Sequence, residues 1–283
     1  MSERSASLTA VSVAAMRAYH QLYDGAPKIL DDPIAVRIVD STSILRVGAT
    51  RNPWTDALRA HVLVRSRYAE DRLEEAVATG VGQFVSLGAG YDTFAYRQPA
   101  WASDLHIYEV DHPASQEAKR ARLASAGIEL PANLTFVPID FERTSLADGM
   151  RDGGFDTSRA AFFSWLGVMM YLDLAAIDAV FEYVASLPPP SEIAFSYARA
   201  ERLLFVESPI ALAAAAVGEP WKTRFAPKDL EARLRGYGFG NVEHLDARTA
   251  NERYHPIRAG LPPMGRVSIA AAQLVTAAGP GLS

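Results

Sequence analysis

Short apolar runs alternate with longer amphipathic stretches along most of the chain. The short runs have no room for a helix and are typical of buried strands, whereas apolar residues spaced three and four apart indicate helices. This alternation predicts an α/β fold with a mostly parallel sheet, and two neighbouring strands near the C-terminus predict an antiparallel final pair. The predicted strands are Phe84 to Leu87, Leu105 to Val110, Leu134 to Asp140, Ala160 to Leu166, Glu192 to Tyr197, Gly240 to Leu245 and Arg266 to Val275.

The first two predicted strands end on residues that are suited to ligand binding. The first strand breaks into Gly88-Ala89-Gly90, and glycines there allow positive φ and a close approach of the backbone to a ligand. The second strand closes on Glu109 and Asp111. This order of strand, glycine turn, helix, strand and acid is typical of a nucleotide-binding βαβ unit, in which the acid accepts hydrogen bonds from a ribose.

The residues after the turn help to distinguish between nucleotides. A dinucleotide fingerprint has a third glycine three residues after the second, and here that position is Thr93, preceded by Asp92. S-adenosylmethionine carries no phosphate, so it requires only the turn and the acid. The pattern therefore favours S-adenosylmethionine over NAD.

Two segments resemble the leucine carboxyl methyltransferase family, and within it the bacterial polyketide O-methyltransferase-like branch. They are LGAGYDT at 87–93 and YEVDHP at 108–113. The resemblance implies a Rossmann-like class I methyltransferase with a seven-stranded, mostly parallel sheet and helices on both faces. It also implies one domain over 1–283, with an N-terminal helical cap at 1–80, a core sheet at 81–197 and 226–276, and a helical lid insertion at 198–225.

A long helix is predicted from Thr55 to Thr79, capped by Thr55 and stopped by Gly80. Its apolar stripe consists of Leu58, Val62, Ala69, Leu73 and Ala76, with Arg65 in the middle. A guanidinium in such a stripe should meet a carboxylate, either from the protein or from the methionine part of the cofactor. The resemblance favours Arg65 for the second role, whereas Arg67 should face solvent or a nearby acid.

The resemblance also implies a set of cofactor-binding residues around the strand ends. The turn would lie beneath the cofactor, Glu109 would bind the ribose, and Asp140 with Phe141 would hold the adenine. An alternative for Asp140 is that it caps a following turn. The full predicted set is Arg65, Gly88, Ala89, Gly90, Asp92, Glu109, Val110, Asp140 and Phe141.

Catalytic residues stay unassigned at this level. Many relatives carry a glutamate-glycine pair at the end of the fourth strand, where this chain has Leu166-Gly167, so position 166 receives no catalytic role. Tyr171 matches a tyrosine of the family and either lines the methyl-transfer site or packs under the next helix. Asp32 either caps a helix that starts at Pro33 or contacts a ligand. None of the histidines stands out.

Composition narrows the classes of partner. A net charge of -5 and a pI near 5.7 argue against nucleic acid as a partner. The absence of cysteine excludes disulfides and thiolate metal sites, and no zinc or serine-hydrolase motif is present. No segment reads as a signal peptide or membrane helix, so we expect a cytoplasmic protein without a metal ion or a membrane partner.

The sequence thus predicts an S-adenosylmethionine-dependent O-methyltransferase. The acceptor is expected to be a carboxyl or phenolic oxygen of a small, partly apolar, polyketide-like molecule. Two alternatives stay open: a protein of the same fold that binds the cofactor without transferring methyl groups, and an NAD-dependent oxidoreductase. The apolar insertion at 198–225 would be a substrate lid or the contact of a homodimer.

Overall fold

The structure, a computed structural model, describes residues 8–140, 143–200, 215, 220–265 and 267–276. Phe141 and most of the predicted lid insertion lie outside the described residues. The α-helices of the described part are α1 (Leu8–Tyr23), α2 (Pro33–Ile38), α3 (Ser41–Ala49), α4 (Pro53–Ala78), α5 (Pro113–Ser125), α6 (Leu146–Asp152), α7 (Leu174–Ala185), α8 (Pro227–Gly236) and α9 (Ala247–Tyr254). No helix of this part is long and apolar enough to cross a membrane.

A seven-stranded sheet runs through the centre of the protein in the order β3-β2-β1-β4-β5-β7-β6. Its strands are β1 (Gln83–Leu87), β2 (His106–Asp111), β3 (Leu134–Pro138), β4 (Ala161–Trp165), β5 (Glu192–Ser196), β6 (Phe239–His244) and β7 (Ile269–Leu274). The pairs among β1 to β5 are parallel, and β7 is antiparallel to both β5 and β6. The predicted seven-stranded, mostly parallel sheet with an antiparallel final pair is confirmed.

Both faces of the sheet are covered, which explains why every residue of the central strands β1 and β4 is buried. Successive side chains of a strand point to opposite faces. Phe163 and Trp165 of β4 pack in the apolar cluster that includes residues of α6, α7 and α8. Phe162 packs in a second cluster with residues of α4 and α9. The predicted two helical layers are therefore present.

The helix α4 begins one turn earlier than the sequence pattern predicts. The side chain of Asn52 accepts hydrogen bonds from the backbone N–H groups of Trp54 and Thr55, at 2.9 and 3.1 Å. Thr55 Oγ1 accepts in return from the backbone N–H of Asn52 at 2.9 Å. Thr55 is thus the third residue of a capping box, and the prediction that it is the N-cap was wrong. The predicted end at Thr79 and Gly80 is confirmed.

The direction of α4 places its N-terminal half beyond the carboxyl edge of the sheet. Near the amino edge, Arg72 Nε donates to Glu192 Oε1 at 2.7 Å, and Glu192 is the first residue of β5. Near the opposite edge, the guanidinium of Arg65 packs against Gly167, which follows the end of β4. Residues of α4 before Arg65 therefore extend past the strand tips.

Asp32 ties the N-terminal helices to the rest of the fold. Its fully buried side chain caps α2 by accepting from the backbone N–H of Ala35 at 3.0 Å, so the predicted cap is confirmed. It also accepts from Arg17 Nε at 2.8 Å and lies 3.6 Å from Arg97 Nε. Burial alone would raise the pKa of Asp32, but the charges of Arg17 and Arg97 hold it below its usual range. A second Arg17 nitrogen donates to the carbonyl of Tyr91, next to the glycine turn.

The substitution Asp32→Asn should destabilise the protein by about 3 kcal/mol, because it removes the negative charge between two buried or half-buried arginines. Urea unfolding followed by circular dichroism measures the change. The neighbouring Asp31 is exposed and bonds only at the surface to Gln21, so Asp31→Asn should change the free energy of unfolding by no more than about 0.5 kcal/mol. Equal losses in the two variants would contradict the role given to Asp32.

Candidate functional site

The glycine turn after β1 closes over the tip of β2. The backbone N–H groups of Gly88 and Ala89 both donate to the carbonyl of Val110, at 2.8 and 3.0 Å. The backbone N–H of Gly90 donates to Asp111 Oδ2 at 2.6 Å. Both glycines have positive φ, +65° at Gly88 and +47° at Gly90, which is the conformation that favours glycine. The predicted strand and tight turn are therefore present.

Two side chains from other elements pack directly on the turn. A Cβ atom on Gly88 would lie 2.5 Å from Val168 Cγ2, and one on Gly90 would lie 3.3 Å from the Cβ of Ala10. Val168 follows β4, and Ala10 belongs to α1. A ligand laid across the turn therefore shares this space with Val168, and the first helix borders it on another side.

Arg65 is a buried cation without a carboxylate partner among the described residues. Its residue exposure is 8%, its Nε has no hydrogen-bond partner there, and its guanidinium lies against Gly167. Burial and then the like charge of Arg17 lower the pKa of Arg65 to about 10, while the nearby Tyr171 acts in the opposite direction. Because a buried charge needs a counterion, this guanidinium is suited to binding an anion.

Glu109 points into the protein interior. Its residue exposure is 1%, Lys119 Nζ of α5 donates to Oε2 at 2.6 Å, and the Tyr96 hydroxyl donates to the same oxygen at 3.4 Å. The other oxygen, Oε1, is enclosed and has no partner in the described part of the chain. Burial raises the pKa of Glu109, and the charge of Lys119 opposes that rise. One carboxylate oxygen is thus committed to a core ion pair.

Asp111, rather than Glu109, is the carboxylate that touches the glycine turn. It is the last residue of β2 and only partly buried, and its Oδ1 accepts from the backbone N–H of His112 at 2.7 Å. That Glu109 binds the ribose stays a prediction, because spacing along the chain locates both acids without showing which way either side chain points. The position of Asp111 at the very end of the strand was the available signal.

The other predicted cofactor-binding residues lie on the same edge of the sheet, and they differ in the contacts that they make within the protein. The Val110 side chain is buried, and Asp92 Oδ1 accepts from the backbone N–H of Phe94 at 2.9 Å. Asp140 directly follows Ile139, whose N–H donates to the carbonyl of Asp111 at 2.9 Å. The main-chain carbonyl of Asp140 closes the next turn by accepting from Arg143 at 2.8 Å. The structure therefore brings the tips of β1, β2 and β3 together.

The end of β4 presents apolar residues and a tyrosine. Leu166 packs on the apolar cluster that contains α4, and the N–H of Gly167 donates to Ser196 Oγ at 2.9 Å. Tyr171 is half-buried and near enough to Arg65 to oppose the lowering of the pKa of that guanidinium. This position supports lining of the site by Tyr171, although the residue also belongs to a short 3₁₀ turn that packs below α7.

His61 is a candidate that sequence reasoning did not single out. It lies one helical turn before Arg65 on α4 and is half-buried, and its Nε2 is enclosed without a hydrogen-bond partner among the described residues. Burial and then the charge of Arg65 lower the pKa of His61 to about 3. No sequence motif marks such a histidine, because only the packing around α4 removes its partners.

Two cavities open elsewhere on the surface and do not coincide with this site. One is lined by residues that include Lys222, Asp229 and Tyr237, and the other by residues that include Asp71 and Arg253. No group of three potential metal ligands occurs within the described ranges. The candidate site is therefore defined by the strand tips, Arg65 and His61.

Comparisons with known proteins agree with these features. The family model described as leucine carboxyl methyltransferase matches residues 10–185. A Bacillus subtilis protein named "Putative S-adenosyl-L-methionine-dependent methyltransferase YktD" is 33% identical over an alignment 290 residues long. The alignment covers 90% of this chain and 93% of that protein. A Mycolicibacterium paratuberculosis protein, named "Putative S-adenosyl-L-methionine-dependent methyltransferase", is 34% identical over 203 residues, 68% of this chain and 74% of that one.

The fold also resembles solved structures. A crystal structure from Thermobifida fusca, described as "a putative methyltransferase", superposes with a TM-score of 0.57 at 18% identity and covers 96% of each chain. At this identity the likeness concerns the fold alone. The family and the sequence relatives favour S-adenosylmethionine as the cofactor over the NAD-dependent alternative.

The pH dependence of stability should report the buried state of His61. Its pKa is lower in the folded protein, at about 3, than the unperturbed value of about 6.5, so unfolding takes up a proton in acid and stability falls as the pH drops below about 6.5. Lowering the pH from 7 to 5.5 should reduce the free energy of unfolding by about 1 kcal/mol through protonation of His61 in the unfolded state. Urea unfolding at both pH values should show this decrease in unfolding free energy in the wild type, and His61→Gln should lack it.

The matched control for that experiment is His106→Gln, because His106 is exposed at the start of β2. This variant should keep the pH dependence of the wild type. An unchanged pH dependence in His61→Gln would show that His61 is not held neutral by burial.

Proposed function

The chain belongs to the leucine carboxyl methyltransferase family, and we propose that it transfers the methyl group of S-adenosylmethionine to a carboxyl or phenolic oxygen of a small, partly apolar, polyketide-like molecule. That it is an S-adenosylmethionine-dependent methyltransferase follows from the family and from its relatives. The choice of oxygen as the methyl acceptor, the class of acceptor and the roles of individual residues are our proposal.

The charge of Arg65, which meets no carboxylate in the described part of the chain, is the observation that supports the proposed cofactor site. It lies where β4 ends, beside β1, and the strand order reverses between these two strands. Ligands of open α/β sheets bind outside the carboxyl ends of the strands at such a switch point. A planar guanidinium binds a carboxylate through two parallel hydrogen bonds, so Arg65 would hold the methionine carboxylate of the cofactor.

The nucleoside would lie across the tips of β1 to β3. Gly88, Ala89 and Gly90 would form the floor of the nucleoside site. The side chain of Asp92 and the backbone of Val110 would stabilise this turn. Asp111 would be the outer ribose acceptor, because Glu109 is engaged by Lys119 and keeps only Oε1 for a second contact. Asp140 and Phe141 would flank the adenine.

The reaction requires little catalytic machinery from the chain. The sulfonium of the cofactor supplies an electrophilic methyl group, so the protein contributes mainly binding, alignment and exclusion of water. A carboxylate acceptor is already ionised at neutral pH, whereas a phenol benefits from a base. Leu166 packs in an apolar cluster, so no carboxylate acts from that position. Tyr171, beside Arg65, would line the methyl-transfer site.

Removing the charge of Arg65 should weaken binding of S-adenosylhomocysteine by about 2 to 3 kcal/mol, or about 30- to 150-fold. The reason is that the carboxylate of this ligand loses a charge-assisted pair of hydrogen bonds. Isothermal calorimetry with Arg65→Gln measures this. The same variant should bind 5′-methylthioadenosine as the wild type does, since that molecule has no amino-acid part.

Arg67→Gln is the matched control, because Arg67 is partly exposed and pairs with Asp71 at 2.6 Å on the same helix. Its affinity for S-adenosylhomocysteine should stay within about twofold of the wild type. Unchanged affinity in Arg65→Gln would remove the proposed carboxylate site.

Substitutions of the two acids of β2 should have different effects, because we propose that Asp111 contacts the ligand and that Glu109 forms a buried ion pair. Asp111→Asn should weaken binding of both S-adenosylhomocysteine and 5′-methylthioadenosine by about tenfold, since a ribose hydroxyl loses a charged acceptor. Glu109→Gln should mainly lower the free energy of unfolding, by about 3 kcal/mol, because Lys119 is left buried without its partner. Calorimetry and urea unfolding measure the two effects, and the reverse pattern would assign the ribose to Glu109.

A further inference from the structure

His61 occupies a position that the cofactor contacts do not use. The helix α4 runs from beyond the carboxyl edge of the sheet towards the amino edge, as its contacts at Arg65 and Arg72 show. His61 precedes Arg65 by one turn, or about 5.4 Å along the axis, and residues four apart share a helix face. Its side chain is therefore on the Arg65 face and farther out from the strand tips.

Nε2 of the His61 imidazole is enclosed and lacks the partner that a buried ring nitrogen normally has. Buried polar atoms are nearly always hydrogen-bonded, and the rare exceptions call for a reason such as ligand binding. Nε2 of His61 has no partner among the described residues, and no contact there explains it as a structural histidine. The charged group that acts on it is Arg65, which Arg17 of α1 and Tyr171 after β4 face in turn.

We propose that His61 Nε2 binds the hydroxyl of a phenolic methyl acceptor and receives its proton during methyl transfer. This inference rests on the proposed function and selects the phenol from its two acceptor classes. In the step, the acceptor oxygen forms a bond to the methyl carbon while its O–H bond breaks and the proton passes to Nε2. The carbon–sulfur bond breaks with its electron pair going to sulfur, and the imidazolium later releases the proton to water.

The chemistry of the ring nitrogen favours a hydroxyl over a carboxylate. With the ring proton on Nδ1, Nε2 presents a lone pair, which accepts a hydrogen bond from a phenol but repels the lone pairs of a carboxylate. A phenol of ordinary acidity keeps its proton at neutral pH and therefore needs a group to receive it. A carboxylate needs neither.

Arg65 links this role to the cofactor. In the free protein its positive charge disfavours a proton on His61. A ligand carboxylate bound to Arg65 offsets that charge, so His61 becomes more basic only when the cofactor site is filled. The acceptor base would thus be weak until the methyl donor is in place.

Binding of two simple probes tests the inference without turnover. The wild type and His61→Gln, both saturated with S-adenosylhomocysteine, are titrated by calorimetry with 4-methylphenol and with 4-methylbenzoate. His61→Gln should bind the phenol at least about tenfold more weakly and should keep the affinity of the wild type for S-adenosylhomocysteine. His106→Gln is the control and should match the wild type in every titration.

A second measurement reads the imidazole itself. In ¹⁵N-labelled protein, the NMR titration midpoint of His61 should move upward on addition of S-adenosylhomocysteine, and also in Arg65→Gln without ligand, since both changes remove the net effect of the Arg65 charge. A histidine with a merely structural role, away from the cofactor, would not respond to S-adenosylhomocysteine.

The failures of the two proposals are distinguishable. Lack of S-adenosylhomocysteine binding by the wild type would overturn the cofactor site and the proposed function. Normal binding of S-adenosylhomocysteine would leave that site intact, and the His61 assignment alone would be overturned by any of three results. These are no 4-methylphenol binding, equal 4-methylphenol binding in wild type and His61→Gln, or a His61 midpoint that ignores the ligand.

Discussion

The carboxyl edge of the sheet contains a buried guanidinium, that of Arg65, which has no carboxylate partner among the described residues. Arg65 lies on the longest helix of the described chain, packed against Gly167 at the end of β4. Its Nε is enclosed without a hydrogen-bond partner, and the described part of the protein supplies no counterion. Such an arrangement is unfavourable in isolation, and it is understandable where a ligand brings the missing negative charge. The geometry of the strand tips and the family of the chain agree on which ligand that is.

Arg17, in contrast to Arg65, has hydrogen-bond partners within the protein. It binds the buried Asp32 and the carbonyl of Tyr91, so it joins α1, the start of α2 and the segment after the glycine turn. This network holds the first helix beside Gly90, where Ala10 makes close contact. The two arginines thus differ: Arg17 uses its charge to fix the N-terminal helices, whereas we propose that the charge of Arg65 binds a ligand.

A similar division exists among the acids of β2. Glu109 and Asp111 are two residues apart and start on the same face of the strand, yet Glu109 is drawn into a buried pair with Lys119 while Asp111 holds the turn. The difference comes from depth: a carboxylate inside the layer between sheet and α5 needs a cation, whereas one at the strand tip reaches backbone N–H groups and solvent. We therefore propose that Asp111 contacts the ligand and that Glu109 mainly contributes to stability.

The sequence by itself determined the seven strands, the glycine turn, the long helix with its central arginine and the family, because these depend on local periodicity, on glycine conformations and on a specific string of residues. It misplaced the start of α4, where Asn52 is the N-cap and Thr55 is its partner in the capping box, and it did not include the short helices α3, α6 and α9. Only the tertiary structure decided three further features. Arg65 has no carboxylate partner among the described residues, whereas Arg17 binds Asp32 and a backbone carbonyl. Asp111 rather than Glu109 meets the turn, and Nε2 of His61 is enclosed one helical turn before Arg65. These outcomes depend on which distant side chains meet across α1, α4 and the strand tips, and spacing along one chain carries no information about such partners.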